Sequence, residues 1–215
     1  MSEHNIAALC QRSRDISLEK GWLNPDGTDP RPFHTVIALF HTELSEAFED
    51  IRNNKGLAEV WYEGYAVDGA GGKQVFTAEK YARLAPTTPW KPCGFPVELA
   101  DFVIRVCQYY GSANLGGKLE RVMFELTALQ VVELNVPEEA EQLIAHLHAC
   151  CSSAYVDRDV FGTDSQAPTP IHHLATALLL LFGFCKKTDI DIWTAIDEKE
   201  AYNRTRSHKH GGKKV

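Results

Sequence analysis

One stretch of this chain leaves little freedom. Between residues 34 and 53, Ile37, Phe40, Leu44, Ala47, Phe48 and Ile51 recur at spacings of three and four. That period gathers them on one side of an α-helix and scatters them over both faces of a strand. Gly56 lies just past the end of the segment. The same test predicts a helix over 1–20, where Ile6, Leu9 and Cys10 form a stripe. It predicts another over 96–110, opened by Pro96 and striped by Leu99, Phe102, Val103, Val106, Cys107 and Tyr110. Further helices are expected over 119–135, 137–152, 171–186 and 191–206. Residues 21–32 and 156–170 read as loops, and 111–117 as a break. Residues 55–95 hold glycines, prolines and aromatics without a sustained period, which fits an irregular insertion or a short hairpin. The expected fold class is all-α, a helical bundle.

The 215 residues, 44% of them hydrophobic, suffice for one sizeable domain or two small ones sharing a core. The formal net charge of −7 argues against nucleic acid as the main partner. Basic residues gather only near the end, at Arg204, Arg206, Lys209, Lys213 and Lys214. None of the six cysteines stands in a Cys-x-x-Cys pair or at zinc-finger spacing. The first residues show no apolar leader, and the longest apolar run, Leu174–Cys185, is too short for a bilayer. These features predict a cytoplasmic protein with reduced thiols and no membrane partner.

Two segments occur twice. Glu43-Leu44-Ser45-Glu46-Ala47 echoes Glu125-Leu126-Thr127-Ala128-Leu129, and Glu98-Leu99-Ala100-Asp101 echoes His173-Leu174-Ala175-Thr176. The echoes keep their order and rough spacing. They predict a degenerate internal duplication that forms a pseudo-dimer. Residues 1–115 would be the first half, with 55–95 inserted, and 116–215 the second. The second copy has Ala128, His173 and Thr176 where the first has Glu46, Glu98 and Asp101. A copy without carboxylates cannot hold the same metals, so one working site per chain is expected.

Glu43 and Glu46 stand three apart on one predicted helix, Glu98 and Asp101 three apart on another. That spacing puts each pair on a single face. If the helices pack side by side, four carboxylates converge and repel unless a cation sits among them. Mg²⁺ suits such hard oxygen donors, with Mn²⁺ as an alternative. Their neighbours Leu44, Ala47, Leu99 and Phe102 are apolar, which sets the acids at the edge of the buried stripe. Spacing alone leaves a solvated acidic face equally open.

The wording around these acids narrows the reading. Ala38–Glu49 resembles the first metal helix of the MazG-like nucleotide pyrophosphohydrolases, and Gly94–Arg105 resembles their second. Glu198–Arg206, followed by His210-Gly211-Gly212-Lys213-Lys214, is similar to the closing segment of phage and bacterial members, and Lys20-Gly21-Trp22 fits the same pattern. The four blocks amount to 41 of the 215 residues, spread from position 20 to position 214. The resemblance implies a MazG-type all-α fold in which Glu43, Glu46, Glu98 and Asp101 ligate Mg²⁺. It implies that Lys199 and Asn203 contact the triphosphate of a (deoxy)nucleoside triphosphate cleaved to monophosphate and pyrophosphate. Lys199, Asn203 and Arg206 follow one another at spacings of four and three, and such a line of donors suits a polyphosphate.

Two departures from the family stand out. The metal motifs lie further apart than is usual, and the closing segment follows the degenerate copy rather than the second metal helix. A pseudo-dimer within one chain would account for the second departure, with Lys199 reaching back to the first half's metals. A homodimer stays open. Glu46 is the first choice to position or deprotonate the attacking water, with Lys199 and Arg206 stabilising the departing pyrophosphate. Trp22, Trp61 and Trp90 are candidate stacking surfaces for the base. His172 and His173 read as packing or capping residues, and His41 as a group near the metals or within the bundle. The competing readings are a dUTPase-like enzyme of the same fold, a non-catalytic nucleotide-binding bundle, and an interaction scaffold.

Overall fold

In the computed structural model, the described residues are 5–65, 73–84, 86–87, 89–129, 136–159 and 169–209. Eight helices and three short strands occupy them. They run α1 (Ile6–Glu19), α2 (Phe33–Arg52), β1 (Trp61–Tyr65), β2 (Lys73–Thr77), α3 (Ala78–Leu84), β3 (Lys91–Cys93) and α4 (Phe95–Ser112). The order continues with α5 (Gly116–Ala128), α6 (Ala140–Asp159), α7 (Pro170–Lys187) and α8 (Ile192–Thr205). No helix among the described residues is long and apolar enough to cross a membrane.

Local chemistry explains most of the boundaries. Asn5 caps α1 by accepting a hydrogen bond from the Ala8 amide at 2.8 Å. Asp191 caps α8 through the Thr194 amide at 3.1 Å. Gly94 sits at the N-cap of α4 with φ of 125°, and a Cβ there would come within 2.2 Å of the Glu59 carbonyl oxygen. Only glycine satisfies both conditions. Two expected ends shift. The helix expected to open at Leu119 already starts at Gly116 and ends at Ala128, and the helix expected to stop at Ser152 runs on to Asp159. Part of the predicted 119–135 helix and the closing 210–214 lie outside the described residues.

The all-α expectation is corrected in one place. Residues 55–95 hold a three-stranded antiparallel sheet in the order β2-β1-β3, with Trp61 opposite both Thr77 and Cys93. A hairpin was one of the two expectations for this segment, but the third strand was not foreseen. The segment's aromatics pack on one another. Tyr62 stacks on Tyr81 at 3.7 Å between centroids, and Phe76 lies 5.0 Å from Trp90. The Tyr62 hydroxyl donates to Glu198 Oε2 at 2.8 Å, which ties the sheet to α8.

The bundle is organised around α4, against which α1, α2 and α8 all pack. α6 lies against both α2 and α7, and α5 bridges α1 to α7. The contact of α1 with α4 is close: a Cβ on Gly111 would meet the Cys10 carbonyl oxygen at 2.2 Å. Leu99, Phe102, Val103, Val106 and Cys107 are fully buried along α4, as are Leu174, Leu178, Leu181 and Phe184 along α7. Each buried side chain of this size contributes about 1.5–3 kcal/mol. A helix enclosed on so many sides has no use for polar residues except where it faces a cavity.

Candidate metal and phosphate site

α2 supplies Glu43 and Glu46, and α4 supplies Glu98 and Asp101. Because α2 and α4 pack side by side, carboxylate oxygens of Glu43, Glu46 and Glu98 lie within 4.8 Å of one another. Glu43 is 4% exposed and Glu98 6% exposed, while Glu46 is open to solvent. Glu98 Oε2 is buried without a hydrogen-bond partner among the described residues. Burial pushes the Glu98 carboxyl up to about 8, although the nearby Lys199 ammonium pulls the other way. Burial also raises Glu43, against the opposing pull of Arg105.

Cations occupy the rest of the cluster. Arg105 donates through Nε to Glu43 Oε1. Lys199, 4% exposed on α8, sets its Nζ 2.5 Å from Asp101 Oδ2. Burial alone would lower the Lys199 ammonium, but Asp101 and Glu98 outweigh it and the net shift is upward. Asp101 therefore stands apart from the three clustered glutamates, as the partner of Lys199.

A cavity of about 290 Å³ opens over these groups. Glu43, Glu46, Asp101, Lys199, Asn203 and Arg206 belong to its wall, and so does Trp22. Residues expected on four separate segments are thus in one place. Lys20 Nζ donates to the Arg204 carbonyl at 2.6 Å, and the Lys209 amide donates to the Lys20 carbonyl at 2.9 Å. The Lys20–Trp22 segment is in this way fastened to the end of α8. Arg12 adds a second tie, from α1 to Glu200 at 3.0 Å.

The other candidates separate from the site. Trp61 lies under Lys55, and Trp90 belongs to the aromatic group of the sheet. His41 stacks on His148 of α6, with ring nitrogens 2.6 Å apart. His172 pairs with Thr169 at the start of α7, and His173 Nε2 pairs with Asp157 Oδ2 at 2.6 Å. Sequence reading missed Arg105, Gln108, Lys91 and Arg31, which also line the cavity. The first two had a signal. Glu98, Asp101, Arg105 and Gln108 continue one polar line at helical spacing along an otherwise apolar helix.

The donor set fits a hard divalent cation. It offers three carboxylates in reach of a common point, one of them with an unpartnered buried oxygen, and a cavity above for phosphate oxygens and water. No family model, no curated protein and no solved structure matches this chain.

Proposed function

We propose that this protein is a Mg²⁺-dependent nucleoside triphosphate pyrophosphohydrolase with a MazG-type fold, converting a (d)NTP and water to the monophosphate and pyrophosphate. The observation that carries the reading is one cavity lined by the carboxylates Glu43, Glu46 and Asp101 together with Lys199, Asn203 and Arg206. Glu43, Glu46 and Glu98 would hold Mg²⁺, with Mn²⁺ as a substitute, and Asp101 would join them on exchanging Lys199 for the ion. Once bound, the ion neutralises phosphate charge and lowers the pKa of a water molecule.

The remaining steps belong to the chain's own residues. Glu46, the exposed member of the cluster, orients the attacking water and takes its proton. The water oxygen bonds to the α-phosphorus as the bond from that phosphorus to the bridging oxygen breaks. Lys199 and Arg206 meet the charge that builds on the departing pyrophosphate. Asn203 donates its amide to a phosphate oxygen, and Trp22 offers a stacking face. The internal duplication belongs to this reading, since it provides one complete site per chain. So does a cytoplasmic setting, in keeping with six free cysteines.

The test is a panel of NTPs and dNTPs incubated with Mg²⁺, with monophosphate, pyrophosphate and orthophosphate measured separately. Equal amounts of monophosphate and pyrophosphate are expected. Orthophosphate as the direct product, or no turnover on any triphosphate, overturns the proposal.

A further inference from the structure

We infer that the end of the cavity around Gln108 is the subsite for the nucleobase, and that Gln108 determines specificity by reading the base edge through its side-chain amide. The inference rests on the pyrophosphohydrolase reading and extends it. Gln108 is 6% exposed and lines the cavity, yet its Nε2 has no hydrogen-bond partner among the described residues. A buried amide N–H without an acceptor is disfavoured, and native structures rarely keep one without cause. An acceptor arriving with a ligand removes the deficit.

Position identifies the ligand part. Gln108 lies on the same face of α4 as Asp101, two turns further along, or about 10 Å of helix rise. That is roughly the reach from the α-phosphate of a nucleotide, across the sugar, to the far edge of the base. The surroundings suit an uncharged planar ring. Ile104, one turn before Gln108, and Ile16 of α1 supply apolar wall, and Ser17 supplies a hydroxyl, while the Ser13 hydroxyl donates to Glu200 at 3.2 Å.

The cations at this end are already engaged. Arg31 is bonded to both carboxylate oxygens of Asp29, at 2.8 and 2.7 Å, and Arg105 is held by Glu43. A base needs only the Gln108 amide and leaves both of those pairs intact. A site built to hydrogen-bond a substrate rejects analogues that leave its polar group unpaired.

The experiment compares the wild-type chain with Gln108→Leu, which keeps the shape and removes the amide. The substrates are the four dNTPs and 2-deoxyribose 5′-triphosphate, which carries no base. For the dNTP the wild type prefers, kcat/KM is expected to fall at least tenfold relative to the abasic triphosphate, mainly through KM. Preference among the four bases is expected to flatten. Melting of the ligand-free variant is expected no lower than that of the wild type, because an unpaired amide has been removed. Unchanged base preference in the variant would mean that Gln108 serves a trapped water only, and overturns the inference. An equal loss on base-bearing and abasic substrates also overturns it, and leaves the pyrophosphohydrolase intact. Absence of turnover by the wild type on all five substrates overturns the parent proposal and the inference with it.

Discussion

Two parts of the bundle share one frame and differ in what they carry. α2 and α6 are both 20 residues long, and α4 and α7 both 18. α2 packs on α4 as α6 packs on α7, and α1 meets α4 as α5 meets α7. Laid end to end, α2 and α6 match Ile37 with Ile144, Ala38 with Ala145, His41 with His148, Ser45 with Ser152, Ala47 with Ala154 and Asp50 with Asp157. His41 and His148, 107 positions apart, touch each other where the two parts meet. Every buried position of α2 has a buried counterpart in α6 except Glu43, which stands opposite Cys150. In that register Ser153 stands opposite Glu46, and with α4 and α7 laid end to end in the same way His173 stands opposite Glu98, Thr176 opposite Asp101 and Leu180 opposite Arg105. The frame therefore packs with or without the acids. Burying Glu43 and Glu98 is not something this frame requires, which is what the proposed metal site would explain.

The comparison breaks most sharply on activity. Glu46→Ala is expected to reduce pyrophosphate release by at least about a thousandfold, since it removes both a ligand and the base. Ser153→Ala, at the matching position of α6, is expected to stay within twofold of wild type. Equal losses in the two variants would show that the second part is not silent. Next in size is Lys199→Met, expected to lower kcat by about 10²–10³ as one preorganised charge at the leaving group is lost. Inorganic phosphate assays after pyrophosphatase treatment would read both effects.

Stability sharpens the comparison further. The carboxyl of Glu98 moves from 4.5 to about 8 on folding, so between those values the folded chain keeps a proton that the unfolded chain releases. Its contribution is therefore present at low pH and lost as pH rises through that window. Metal-free Glu98→Gln is expected to melt higher than wild type at pH 8.5, by an amount on the order of 3 kcal/mol, with little difference near pH 4. Mg²⁺ should raise the wild-type melting temperature and leave the variant unmoved. A variant no more stable than wild type at pH 8.5 would mean that Glu98 is not strained when charged. The smallest effect is expected at the counterpart pair. Asp157→Asn weakens the contact with His173 and should cost about 1 kcal/mol, with no change in Mg²⁺ response. Calorimetry of the two variants side by side checks both.

The same comparison explains what could be read from the letters. The periodic helices were legible because burial fixes their apolar stripes, and the carboxylate pairs because each shares a helix face. The echo between Glu98–Asp101 and His173–Thr176 falls on α4 and α7, in agreement with the packing. The echo between Glu43–Ala47 and Glu125–Leu129 does not, since α5 packs as the counterpart of α1 and α6 is that of α2. The mismatch has a cause. Glu and Leu recur on α2 and α5, whereas α6 shares the apolar pattern of α2 without the Glu43 and Glu46 carboxylates. The third strand gave no signal because β3 is only three residues long and pairs with β1 across a long separation. Gln108 and Arg105 carry no metal-ligand signature of their own, and only their helical spacing from Glu98 and Asp101 marks them.

The tie between Lys20 and the Arg204 carbonyl spans 184 positions, and that between Arg12 and Glu200 spans 188. Closing loops of that length costs more chain entropy than closing short ones. In any state with α8 undocked, Asp101 and Glu98 would confront each other with no ammonium beside them. Docking of the last helix is then drawn by charge. Salt should slow it by screening, and a divalent ion that settles among the acids first would compete with Lys199 for the same anions.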